Sequence, residues 1–150
     1  MLSFHTAVHA RSPEVAAGPE IRLRGTTFQT LTVNPSALAT AFPVSFEQAG
    51  AALEKLERLH FEPDGSFVWV SGRDELAWQI DGNLFDRSGR LLFVDLKGTC
   101  PSRQFDQLLA AFGWPTTAVM FQLLREAAFL DETEFRRYAE IRAASSPATL

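Results

Sequence analysis

Between residues 66 and 97 the sequence carries three successive apolar-rich runs, at 66–71, 77–85 and 90–97, parted by short turns, and in the second Trp78, Ile80 and Leu84 alternate with Gln79, Asp81 and Asn83. A period of two is that of a strand with one face buried. Runs this close together pair most simply with their sequence neighbours, which makes an antiparallel meander. The alternation also limits the pairing, because a slip of one residue would turn every apolar side chain to the wrong face.

The second and third runs can be placed in register. A three-residue loop Arg87-Ser88-Gly89, with Gly89 left-handed, is a common hairpin type. It pairs Asp86 with Arg90 and sets Asp81 directly opposite Asp95. Trp78, Ile80 and Leu84 then share a face with Leu92, Val94 and Leu96. The other face holds Gln79, Asp81 and Asn83 beside Phe93, Asp95 and Lys97. Two carboxylates directly opposed across a pair cost roughly 0.2–1 kcal/mol, and a cation between them removes the cost. A hard divalent ion such as Mg²⁺ needs one or two protein carboxylates, with waters and phosphate oxygens completing its shell. Gly82 inside the strand admits a bulge or the close approach of a ligand.

Other elements flank this hairpin. Ser45 and Gln48 form a capping box ahead of a helix over 45–60, whose stripe is Phe46, Ala49, Leu53, Leu56 and His60. Pro101 starts a second helix that runs to about 112, and 119–124 is a short apolar strand. Asp131 caps a final helix over 131–144, with Glu134 at the capping-box position. One or two strands lie in 21–33, within an arm at 1–44 that is otherwise loose, and 145–150 is a tail. The expected fold is α/β: a mixed sheet with a helix–strand–strand–strand–helix–strand core and an added C-terminal helix, in one domain at 45–144.

Composition narrows the function classes. The chain has 150 residues, 46% of them apolar and thirteen of them Phe, which specifies a packed globule. Its net charge of −4 argues against a highly basic nucleic-acid coat or a polybasic membrane binder, but leaves room for a local basic patch. The single cysteine, Cys100, excludes an internal disulfide and suits a reducing cytoplasm. No signal-peptide layout and no long apolar span are expected. His5 and His9 stand four apart but have no neighbouring metal-site partners.

Around Ile80-Asp81-Gly82 and Phe93-Val94-Asp95-Leu96-Lys97 the sequence resembles the PD-(D/E)xK nuclease superfamily. The resemblance covers about residues 45–124 and implies that superfamily's helix–three strands–helix–strand core. It also implies a metal-dependent nuclease, with catalytic Asp81, Asp95 and Lys97 and with Asp81, Asp95 and Glu57 around Mg²⁺ or Mn²⁺. Glu57 is the first-helix glutamate nearest the apolar stripe. Gln79, Gln122 and Arg103 are auxiliary candidates, and Arg125, Arg136 and Arg137 are further phosphate contacts. The sequence departs from the pattern in having no proline before Asp81 and Asp rather than Glu at 95.

Two alternatives use the same residues differently. A non-catalytic binding domain would keep Asp81, Asp95 and Lys97 as a charge network and use the sheet or last helix as an interface, including one between two copies. A redox role would rest on Cys100 at the strand-to-helix junction. Trp69, Trp78 and Trp114 read as core or core-rim residues rather than a stacking platform.

Overall fold

A computed structural model of the chain describes residues 1–145. Among them are nine strands: β1 (Leu2–Ala10), β2 (Ala16–Leu23), β3 (Thr26–Thr32), β4 (Leu59–Phe61), β5 (Ser66–Val70), β6 (Gln79–Arg87), β7 (Arg90–Cys100), β8 (Val119–Leu123) and β9 (Ala128–Asp131). Three α-helices join them: α1 (Phe46–Glu54), α2 (Ser102–Ala110) and α3 (Glu132–Ser145). The strands form one sheet in the order β2–β3–β9–β8–β1–β7–β6–β5–β4, and every neighbouring pair is antiparallel. The architecture is therefore α+β and dominated by its sheet, not the mixed sheet with the core order expected from sequence.

The N-terminal segment departs furthest from the sequence expectation. Residues 2–10 are not a loose arm but the central strand, paired with β7 on one side and β8 on the other. Leu2, Phe4, Val8 and Ala10 are buried on one side of it, which ties the strand into the core. β8 consequently never touches the meander, because β1 stands between them. The expected strands in 21–33 are present as the last three residues of β2, which starts earlier at Ala16, and all of β3.

The meander forms as read, but its register differs. Arg87 pairs with Arg90 around a two-residue turn, with Ser88 at φ 54 and Gly89 at φ 84. Positive φ at both central residues belongs to the hairpin turn whose twist matches that of the strands. A bulge between Phe85 and Asp86 adds a second offset, so Asp81 pairs with Lys97 and Asn83 pairs with Asp95. The bulge also turns Leu91, rather than the expected Leu92, into the core.

Helix α1 keeps the Ser45–Gln48 capping box, with the Gln48 amide donating to Ser45 Oγ at 3.0 Å and the Ser45 amide to Gln48 Oε1 at 2.8 Å. It stops at Glu54, short of the expected 60, because Arg58 adopts φ 63 and residues 59–61 pair with β5 as β4. Asp131 caps α3 by accepting from the Glu134 amide at 2.8 Å. Glu134 does not close the reciprocal box; its side chain accepts from the Gln29 amide at 2.7 Å and pairs with Arg137. The expected tail starts at Ser145, the last residue of α3, and 146–150 lie outside the described residues.

All three helices pack on one face of the sheet. On that face Phe4 of β1 and Phe121 of β8 meet Phe105 of α2 and Phe135 of α3, and the Phe121 and Phe135 rings stack at 4.0 Å. Ala49 and Leu53 of α1 complete the cluster over Ile80 and Leu84. Each fully buried Phe contributes about 1.5–3 kcal/mol relative to exposure. The opposite face is covered only at one end, where a 3₁₀ helix (Pro35–Ala39) and Val15 pack on Leu31 and Met120. Over β5, β6 and β7 no helix among the described residues covers it.

Candidate functional site

The uncovered face is set by strand parity. Successive side chains point to opposite sides, so residues paired in register share a face. One row across the sheet reads Val68, Asp81, Lys97, His5. The next reads Ser66, Asn83, Asp95, Ala7, Gln122, Phe129 and Leu31. A third reads Phe85, Phe93, His9, Met120. Asp81, Asp95, Lys97 and Gln79 therefore share one face, as the sequence implied. Asp81 and Asp95 are not directly opposed, however. They are diagonal neighbours, a spacing of roughly 7–8 Å between backbone positions.

His5, Asp81, Asn83, Asp95 and Lys97 line a depression of about 200 Å³. Gln79 Nε2 donates to Asp81 Oδ1 at 3.1 Å, which fixes that exposed carboxylate. Among the described residues Lys97 makes no ion pair, although it stands directly across from Asp81. Asp95 is half-buried, and burial pushes its carboxyl above the usual range, an effect that nearby His5 only partly offsets. A carboxylate that has lost water and gained no hydrogen-bond donor attracts a cation from outside the fold.

Next to Asp95 lies an aromatic ledge. The rings of Phe85 and Phe93 stack at 4.5 Å and 13°, both half-buried. The His9 ring continues the stack at 5.5 Å from Phe93 and lies 5.9 Å from Phe129. His9 Nε2 donates to Gln122 Oε1 at 3.1 Å, while Nδ1 is buried without a partner. Burial therefore pushes His9 below the ordinary imidazole range, with the Gln122 bond offsetting part of the shift.

The remaining candidates fall elsewhere. Glu57 lies beyond the end of α1 on the helix-covered side, where its carbonyl accepts from Trp69 Nε1 at 2.8 Å and its side chain pairs with Arg58. It does not join Asp81 and Asp95. Arg103 is exposed on α2, also on the helix side. Gln122 shares the row of Asp95 but stands across β1 from it and is engaged by His9. Arg136 is held by Asp106 and Glu132 over Phe105 and Trp114, and Arg137 by Glu134 and the Thr27 carbonyl over Phe28. Both are part of the packing. Trp69 and Trp78 are core residues in an edge-to-face pair at 5.2 Å. Cys100 is fully buried, and its thiol is pushed up to about 12, so it stays protonated at neutral pH and is not an activated nucleophile.

His5 and His9 reach this face through β1, which the sequence reading missed. Their signal was present in the alternation of Leu2, Phe4 and Val8 with Ser3, His5 and His9, which is interrupted at Thr6-Ala7. Two carboxylates sharing a face are enough in number for a hydrated Mg²⁺. Among the described residues, though, no group of three or more His, Cys, Asp or Glu side chains gathers around a common point. No helix among those residues is long and apolar enough to cross a membrane. No protein-family model, no curated protein and no solved structure matches this chain.

Proposed function

We propose that this protein is a recognition domain that works through the uncovered face of its sheet. In this reading Asp95 takes a guanidinium or ammonium group of a partner, while Phe93 and Phe85 receive the apolar surface beside that group. The observation that carries it is the half-buried Asp95 carboxylate, partly desolvated and without a hydrogen-bond donor among the described residues, next to an open pair of stacked rings. A cation seated there gains a charge-assisted contact and can also lie over a ring face. Asn83, directly across from Asp95, offers amide donors and acceptors to the same ligand. The test is an NMR titration with a blocked arginine–leucine dipeptide. The Asp95 and Phe93 signals shift, and Asp95→Asn removes the response. No shift at those residues would end this reading.

A second reading is favoured by one observation, the shared face of Asp81, Asp95 and Lys97. On it the two carboxylates would hold Mg²⁺ or Mn²⁺ and Lys97 would lie beside a phosphodiester. The metal, when bound, lowers the pKa of a coordinated water and neutralises phosphate charge. Metal-dependent cleavage of labelled DNA or RNA, lost in both Asp95→Asn and Lys97→Ala, would establish this reading in place of the first.

A further inference from the structure

A second recess is bordered by residues of the turn between β2 and β3, the loop between β8 and β9, and α3. Its volume is about 470 Å³, and its cations are Arg24, Lys97, Arg125 and Arg142. They arrive from four places in the chain. Arg24 sits in a two-residue turn with Gly25, at φ 51 and 77, between the paired residues Leu23 and Thr26. Arg125 comes from the loop joining β8 to β9, Arg142 from the last turn of α3, and Lys97 from the open face of β7. Among the described residues the one carboxylate lining the recess is that of Glu126, which accepts from the Tyr138 hydroxyl at 2.9 Å. Burial and Glu126 both raise the Tyr138 phenol above its usual range, and Arg142 and Arg24 lie close enough to offset part of the rise.

The charge of this recess is opposite to that of the molecule. The chain carries −4 overall, yet among the described residues four cations face one carboxylate here. None of the four forms an ion pair within 4.0 Å among the described residues. The Arg24 guanidinium is steadied instead by Ser145 Oγ at 2.9 Å, a neutral partner that leaves its charge available. Like charges brought together repel, so an unpaired group of them marks a place where an anion is stabilising. Three guanidiniums offer planar pairs of donors, which match the tetrahedral oxygens of a phosphoryl group, and a dianion offsets more of this charge than a carboxylate does. The volume falls in the range of small-molecule sites, so there is room for an organic group beyond the phosphate.

We infer that the recess bounded by Arg24, Lys97, Arg125 and Arg142 is a binding site for a phosphomonoester. It does not rest on the reading of the open face, although Lys97 and His5 border both sites. A lipid headgroup and a soluble phosphate ester would present the same chemistry.

The test uses the whole chain and calorimetric titration with phenyl phosphate, alongside sedimentation with vesicles containing phosphatidic acid. Arg125→Gln is at an exposed position and Arg142→Gln at a half-buried one, and circular dichroism verifies that each variant folds. Each substitution weakens phenyl phosphate binding by roughly tenfold or more, the usual worth of one charge-assisted hydrogen bond. Glu126→Gln keeps an acceptor for Tyr138 while removing the negative charge, and it tightens binding severalfold. Vesicle binding that is lost in the same variants identifies the lipid source; binding of the soluble ester alone identifies the other. The inference is overturned if phenyl phosphate does not bind, if the two arginine variants bind as the natural chain does, or if Glu126→Gln weakens binding. Because Asp95 is untouched in all three variants, their outcome is separate from that of the open face.

Discussion

The two faces of the sheet are built from the same strands but answer to different forces. On the helix side Phe4, Phe105, Phe121 and Phe135 are fully buried and stack on one another, and the polar residues of β6 and β7 are absent. On the other side the same strands present Asp81, Asn83, Asp95 and Lys97 with half-buried Phe85 and Phe93. The first face holds the molecule together. The second has the composition of a contact surface, because it combines aromatic area with charges that lack partners inside the fold.

Deleting one ring from each face tests that contrast most severely. Phe121→Ala removes a ring stacked at 4.0 Å on Phe135 and leaves a cavity between sheet and helices. It should cost about 3–5 kcal/mol in urea unfolding. Phe93→Ala, on a half-buried ring, should cost only about 1 kcal/mol. Equal losses would break the comparison and make the open face a second core.

Gly82 sharpens it at the next level. It lies on the helix-side row, paired with Phe67, and a Cβ there would stand 2.1 Å from the Phe67 ring. Gly82→Ala should therefore cost about 1–3 kcal/mol through overpacking. Asn83→Ala, one residue on and facing the open side, should stay within about 0.5 kcal/mol. Denaturation midpoints of the two variants check the pair.

His9 is the place where the open face is closed over, and it responds to pH. Its folded pKa lies below the unfolded value, because the buried ring resists protonation. The stability it permits is fully present above the ordinary imidazole pKa and is lost as pH falls through the folded one. The melting temperature should drop on acidification through this window, and His9→Leu should flatten the drop. An unchanged profile in the variant would show that His9 is not the group responsible.

Structure set by near neighbours is legible in this sequence, and structure set by distant partners is not. The Ser45–Gln48 box, the Pro101 start and the three meander strands depend on neighbours a few residues away, and all are present. The central position of β1 depends on partners some ninety or more residues distant (Leu2 with Cys100, Thr6 with Leu123), which no local pattern encodes. The hairpin register is the instructive error. A two-residue turn shifts the pairing by one, and the bulge at Phe85 and Asp86 shifts it by one more. The apolar alternation reports only parity, so beyond the bulge the shift of two leaves the faces correct while moving Asp81 from Asp95 to Lys97, and only Leu91 and Leu92, on the turn side, exchange places. The shared face of the candidate residues was therefore legible, but their pairing was not. Nor was the recess, whose arginines meet only once the β2–β3 turn and α3 are in place.

The smallest expected effect bears most directly on what the open face is for. Burial raises the Asp95 carboxyl, so its contribution to stability is fully present below the unfolded pKa and is lost as pH rises through the folded one. At neutral pH the ionised group is a mild liability. Asp95→Asn should then raise stability slightly, within about 0.5 kcal/mol because solvent still screens the site, whereas Asp81→Asn should leave it unchanged. Saturating the natural protein with the arginine–leucine dipeptide should add stability that the Asp95→Asn variant does not gain. A loss of stability in Asp95→Asn would mean that the carboxylate already has its partner within the fold. The open face would then be a closed network of charges, and its contrast with the helix side would be one of composition alone.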